Sequence, residues 1–469
     1  MKSCLSLIAA VTLIAVVPSA TAQSPAALSN WGQWRGPLGT GEAPQGNPPT
    51  QWSETKNVQW KVKIPGDGTS TPVIWGDKVF VLTAGPAKDL GATALHGPAA
   101  TAVTFTAFQP PQKGKGGFPP GGGKKGGSLG EPAPTEPYQF VLMCLDRNSG
   151  KTKWQRAVSE LIPHEGKHPA DGSFAAHSAA TDGECVIAFF GSRGLACYDL
   201  DGNLKWKKDL GKQRSRNGFG EGATPALYGN YVIVPWDHEG EDFIAAFDKK
   251  TGDEIWRQSR DEPTGWSTPL VVEHDGKGQV VLGGTNRTRS YDLASGKQIW
   301  ECEGLTVNVI PSAVTRDGVV YITSGYQGYK LLAIRLGSTG DLTDSKAIAW
   351  RLDRDTPYVA SPLLSGDRLY FFKSRNSLLT CLDIKTGQPY YSARRIDGLG
   401  PDAYASPVSA AGRVYLVSRT GDSIVLKDSS EFQVLATNKL DERIDASPAI
   451  VGKQMFLRSH QSLYCIAEK

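Results

Sequence analysis

From residue 180 to its end the chain restarts one pattern every 41 to 51 residues, and a first copy, lengthened by an insertion, begins at Pro72. A Ser/Thr-x-Pro opens a hydrophobic strand, a Gly-Asp turn leads to a second strand, a third strand ends in Asp, and a Thr-Gly-Lys type of turn leads to Trp. The openings lie at Pro72, Pro225, Pro269, Pro311, Pro362, Pro407 and Pro448, with Ala180 in the proline's place in the second copy. Short strands rich in Val, Ile, Tyr and Leu at this period describe the four-stranded blade of a β-propeller.

The turn before the fourth strand is the most regular piece. Asp146 to Gly150 precedes Trp154, Asp248 to Gly252 precedes Trp256, Asp292 to Gly296 precedes Trp300, and Asp383 to Gly387 precedes Tyr391. Glycine suits a turn that ends left-handed, and the aromatic four residues later offers a flat surface to the next blade. The last copy, from Pro448, has three strands only, whereas Val58 to Ile64 around Trp60 reads as a fourth strand without a blade. Closing the ring with that strand leaves no exposed edge and gives eight blades of about 45 residues. The expected fold is therefore all-β: an eight-bladed propeller of four-stranded antiparallel blades.

Around this ring the layout is 1–22 signal peptide, 23–57 N-terminal arm and 58–469 propeller, with an insertion at 86–137. Lys2, the apolar run Leu5 to Val17 and Ala20-Thr21-Ala22 describe a Sec-type signal cleaved near Ala22, hence a periplasmic or extracellular protein. Cys4 stands at the wrong end of that segment for lipid attachment, and no later run is long enough to span a membrane. The insertion's Gly/Pro/Lys-rich core, 109–125, lacks the apolar surface to offset its ordering entropy and reads as disordered. A net charge of only +4 is no nucleic-acid footprint. Cys144, Cys197, Cys381 and Cys465 share one repeat position on different blades, and Cys185 takes the place of Val79 and Val232, which marks core thiols and not a disulfide framework.

Function in a propeller sits in the loops that leave the innermost strands. The residue three before each repeat opening reads, round the ring, Thr69, His177, Gly222, Trp266, Asn308, Val359, Tyr404 and Asp445. Such diversity on a repeating frame suits a pocket for one asymmetric ligand or partner. Arg214 and Arg216, ahead of the Gly218–Gly222 stretch, are candidates for holding an anion. His164, His168 and His177, with Asp237 and His238 from the third blade, form a candidate metal set, although loop spacing fixes no geometry. No nucleophile elbow, phosphate loop or His-Glu-x-x-His occurs.

The repeats resemble the pyrroloquinoline-quinone-type propeller repeat, and Trp31-Gly32-Gln33-Trp34-Arg35-Gly36-Pro37, Gly265-Trp266-Ser267-Thr268-Pro269, Ser324-Gly325-Tyr326 and Leu463-Tyr464-Cys465-Ile466 are similar to a secreted bacterial family of such propellers. Two relatives imply different functions. The quinoprotein alcohol dehydrogenases imply pyrroloquinoline quinone with calcium and an alcohol or sugar as substrate. Their adjacent-cysteine pair has no counterpart here, and neither do their calcium-ligand and catalytic-Asp segments. The propeller lipoprotein of the outer-membrane assembly machine implies a non-enzymatic scaffold that grips a partner through loops on one face. The expectation is a monomeric binding module without cofactor, taking an unknown protein or small molecule at its loop-rich face, with quinone-dependent oxidation as the rival and a metal site near His164, His168 and His177 as a further alternative.

Overall fold

Each copy of the repeat forms a four-stranded antiparallel sheet whose strands follow chain order, and eight such sheets build the computed structural model, which describes residues 24–90 and 129–468. Blade 1 comprises Val73–Trp75, Lys78–Pro86, Tyr138–Asp146 and Thr152–Leu161. Blade 8 comprises Ala449–Val451, Gln454–Arg458 and Ser462–Ile466, and Val58–Lys63 pairs antiparallel with the last of these, Trp60 opposite Cys465. The ring thus closes through the N-terminal strand. The segment read as a signal peptide and the core of the 86–137 insertion lie outside the described residues. The insertion leaves from the tip of a hairpin paired along its whole length, with Pro86 opposite Tyr138.

Second and third strands are buried along most of their length because each face meets a neighbouring blade, and continuous apolar runs follow, as in Val232 to Trp236. Where the fourth strand carries Trp, that ring is the fastener between blades; blades 6 and 7 carry Tyr391 and Ala436 at the same position. Trp60, Trp154, Trp206, Trp256 and Trp350 donate Nε1–H to the carbonyls of Arg147, Leu200, Lys249, Leu293 and Ile384, each in the last turn of the following blade, at 2.8–3.1 Å. The same rings lie against Gly150, Gly202, Gly252, Gly296 and Gly387. Two demands therefore fall on one residue. Gly252 has φ of +76°, and a Cβ there would sit 2.6 Å from the Trp206 ring. Gly252→Ala is expected to lower stability by about 2 kcal/mol through strain and overpacking, read as a shift in the urea midpoint. Trp300 departs from the pattern. The next blade has a longer turn, Trp300 bonds Gln279 within its own blade, and Gly340–Asp341 pairs parallel beside it.

Strand register corrects the sequence alignment in two copies. Val73, Ala226, Leu363, Val408 and Ala449 begin their inner strands opposite Phe80, Ile233, Tyr370, Tyr415 and Phe456. Their counterparts are Ala180, opposite Ile187, and Val314, opposite Tyr321. The proline position is therefore filled by Ala179 in blade 2 and Ala313 in blade 5, not by Ala180 and Pro311. Cys185 correspondingly matches Lys78 and Tyr231, not Val79 and Val232. Cys144, Cys197, Cys381 and Cys465 do share one position, and the six cysteines of the described residues are buried and unbridged.

Aligned in this way, the residue before the proline position is always a hydroxyl, and the hydroxyls link the blades. The amides of Thr71, Ser178, Thr224, Thr268, Ser312, Ser361 and Ser406 each donate to the hydroxyl of the next blade, ending at Ser447, at 2.9–3.3 Å. At the seam between blades 8 and 1, the buried Arg458 guanidinium donates to Ser70 Oγ and to the Leu82 carbonyl. The N-terminal arm then crosses one end of the channel. Trp31 exchanges backbone bonds with Ile74 of blade 1, Arg35 donates to the Pro362 and Pro407 carbonyls of blades 6 and 7, and Glu42–Ala43 pairs parallel with the inner strand of blade 7.

Candidate functional site

Where the fourth-to-first loops and the second-to-third hairpins meet, the channel opens into a cavity of about 660 Å³. Its rim carries the position three before each proline site, which in the corrected register is Thr69, Ala176, Gly222, Trp266, Ile310, Val359, Tyr404 and Asp445; all eight line the cavity. Hydroxyls of the inter-blade chain stand two residues deeper, and Trp34 of the arm also lines the cavity. The cavity wall is uneven. Phe219, Trp266, Tyr326 and Tyr358 form an aromatic arc over blades 3 to 6, with Tyr326 and Tyr358 stacked at 4.7 Å. Trp266 is held by its Nε1–H on the Gly220 carbonyl, 2.9 Å.

The opposite wall is ionic and internally balanced. Arg419 pairs with Asp171 at 2.7 Å and Asp445 at 2.8 Å, Arg443 and His460 each approach Asp445 at 2.9 Å, and Arg419 lies 3.8 Å from the Tyr404 ring centre. Tyr404 donates to Asp171 at 3.0 Å, and burial pushes its phenol up to about 12, which keeps it a donor. Asn308 lines the cavity with φ of +58°, is 3% exposed, and its Oδ1 accepts no hydrogen bond.

Of the residues singled out from sequence, Thr69, Trp266, Asn308, Tyr404, Asp445 and His168 face the cavity. His177 lies one position off the ring and is turned into the wall. It packs edge-on to Phe189 at 5.0 Å, beside a void of about 10 Å³ shared with Asp237 and Trp266, and burial depresses its pKa to about 3. Arg214 and Arg216 do not line the cavity; Arg214 donates to the Glu239 carbonyl, and the Arg216 amide donates to Thr264. Sequence reasoning missed Asp171, Arg375, Arg419, Tyr326 and Tyr358, which come from non-repeating loop tips. The aromatic Tyr326 in Ser324-Gly325-Tyr326 was the one available signal.

The proposed metal set does not assemble as a unit. Asp237 is locked to Arg260 at 2.7 Å, and His238 is held between the Arg214 amide and the Glu241 carbonyl. Among the described residues, His164, Glu165 and Glu221 bring ligand atoms within 4.8 Å of one another. All three are already engaged: His164 by the Gln213 carbonyl, Glu165 by Ser215, and Glu221 by Arg193 at 2.5 Å. A cation taking Glu221 would leave the Arg193 charge buried and unpaired. A calcium-bound quinone fares no better on donor chemistry, since calcium needs several oxygen ligands. Asp171 and Asp445 face arginines, and Asn308 supplies a single free oxygen.

The family model described as outer membrane protein assembly factor BamB matches residues 139–393, more than half of the chain. The chain belongs to this family. Among solved structures, BamB from Moraxella catarrhalis aligns with a TM-score of 0.50 at 13% identity, covering 70% of this chain and 93% of that one. The computationally designed Ika8 protein aligns with a TM-score of 0.49 at 12% identity, covering 73% of this chain and 100% of that one. At such identities the likeness is one of fold. No curated protein matches. The matched span of the BamB family covers most of blades 1 to 6, and therefore the whole aromatic arc of the cavity. No helix among the described residues is long and apolar enough to cross a membrane.

Proposed function

We propose that this chain is a non-catalytic binding module of the bacterial envelope, secreted behind a cleaved signal at residues 1–22, which holds a ligand or partner at the channel mouth formed by the 58–469 propeller. The observation that carries this reading is the state of the ionisable side chains at the cavity. Asp171, Asp445 and Glu221 are each held by arginine at 2.5–2.8 Å, so none stands ready as a general base or nucleophile. Aromatic surface, a free amide oxygen and the His168 imidazole, its Nδ1 taken by the Asp171 amide at 3.2 Å, remain as binding groups. Membership of a family named for outer membrane protein assembly supports an envelope location and a protein partner. The arm, 23–57, closes the far end of the channel and favours the mouth as the working face.

Photo-cross-linking tests the reading directly. A benzophenone amino acid at Tyr326 or Tyr358 is expected to capture a partner that the same group at Tyr390, on the outer strand of blade 6, does not capture. Equal labelling at all three positions would count against a mouth site. The catalytic rival is tested by supplying pyrroloquinoline quinone, calcium and an artificial electron acceptor with alcohols and sugars. Turnover abolished by Trp266→Ala would overturn the non-catalytic reading.

A further inference from the structure

Three features of the cavity keep hydrogen-bonding capacity or apolar surface that the fold leaves unfilled. The first is the chain of hydroxyls. The oxygens of Ser178, Thr224, Thr268 and Ser447 already accept an amide from the preceding blade, and among the described residues these four and Thr71 give their own O–H hydrogens to no protein acceptor while lining the cavity. The floor is therefore an arc of five donors on blades 8 and 1 to 4, four of them polarised by the hydrogen bond they accept. The second is Asn308. Its amide oxygen is an unfilled acceptor on a side chain nine-tenths buried, on a left-handed backbone, facing the same space. Burying such a group without a partner costs about 1–3 kcal/mol, which a ligand's O–H or N–H would relieve. The third is the arc of Trp266, Tyr326 and Tyr358, flat apolar surface placed between those donors and that acceptor.

A ligand matching all three must present a flat apolar face, donors and acceptors on the same edge, and little net charge, because the carboxylates and arginines opposite already neutralise one another. A nucleotide or phosphorylated ligand would require several free cations. Among the described residues, Arg375 is the cavity-lining arginine, and it engages the Tyr404 phenol. A peptide presents donors and acceptors on its backbone but no ring of adjacent hydroxyls. A pyranose has an apolar C–H face for an aromatic ring and a rim of hydroxyls that both donate and accept.

Resting on the reading that the mouth is the binding site, we propose that the cavity takes a short saccharide, stacked on Trp266 and the Tyr326–Tyr358 pair, with hydroxyls satisfied by Asn308 Oδ1 and by the floor hydroxyls. Trp34 at the cavity makes this an end-on or short-segment site and not a through-channel. The test uses maltotriose, cellotriose and N-acetylated chitotriose as uncharged probes, with trigalacturonate as a charged control that is expected not to bind, followed by calorimetry and tryptophan fluorescence of the full chain. At least one probe is expected to bind saturably. Trp266→Ala and Asn308→Gly are each expected to weaken it tenfold or more with unchanged circular dichroism, whereas Tyr390→Ala leaves it unaltered. Glycine is chosen at 308 because it removes the amide and keeps the positive φ. If no probe binds at millimolar concentration while the mouth-specific cross-links persist, the saccharide is overturned and the mouth site stands. Loss of the cross-links as well overturns both. A probe whose binding ignores both variants sits elsewhere, and that also overturns the proposal.

Discussion

Replacing Arg260 with methionine is expected to lower the free energy of unfolding by about 3–5 kcal/mol. Arg260 is fully buried between blades 3 and 4, where its Nε and Nη2 grip Asp237 at 2.7 and 3.1 Å and its Nη1 donates to Tyr291 Oη at 2.8 Å. Removing the guanidinium leaves the Asp237 carboxylate in a site that already pushes its pKa upward by burial. Asp237→Leu alone should be comparably damaging, because it strands the arginine. The double replacement, Asp237→Leu with Arg260→Met, should recover most of the loss, since two apolar side chains avoid the desolvation that a buried pair must overcome. Urea unfolding of the four proteins measures the cycle. A double variant as unstable as the sum of the singles would refute this account.

The second large effect is a dependence on acid. Folded His177 has a pKa near 3, against 6.5 in an unfolded chain, because its ring is sealed from water and stands near Arg193. Between those values the unfolded chain binds a proton that the folded chain refuses. Stability is therefore complete above about pH 6.5 and falls by about 1.4 kcal/mol for each unit of acidification towards pH 3. His177→Phe, close in shape, should flatten that slope, measured as the urea midpoint from pH 7 to pH 4. Asp242 acts in the opposite sense. Burial raises its pKa to about 6, so the folded chain holds a proton that the unfolded chain releases, and its contribution is lost as pH rises through 6. Since Asp242 is common to both proteins, the difference between them isolates the histidine.

The frame of this protein was legible because it is periodic. Spacing gave the blades, the Gly-to-Trp interval gave their fasteners, and the unmatched strand around Trp60 gave the closure. What escaped was local. Proline marks the register in six copies, but the position requires only a small residue, and Ala179 and Ala313 fill it; counting from Ala180 and Pro311 puts His177 and Asn308 on the ring where Ala176 and Ile310 stand. The ion pairs of Asp171, Asp237 and Glu221 join residues 23 to 248 positions apart in sequence, and no spacing encodes them. The arm that carries Trp34 to the cavity is outside the repeat, so its role had no internal copy to be read against.

The hydroxyl chain has a mechanical consequence. Seven of its links have nearly one length, 2.9–3.3 Å, and each pulls a blade toward the next. Such a chain, completed at the seam between blades 8 and 1 by Arg458 on Ser70 and Leu82, works as a barrel hoop. The bore cannot widen for a bulkier guest without parting several links at once, whereas the staves above the hoop can change freely. Selectivity then lies in what stands on the rim and how far a guest can descend, while girth is constant. A protein built in this way can exchange one guest for another over evolution by rewriting loop tips, with no alteration to its load path.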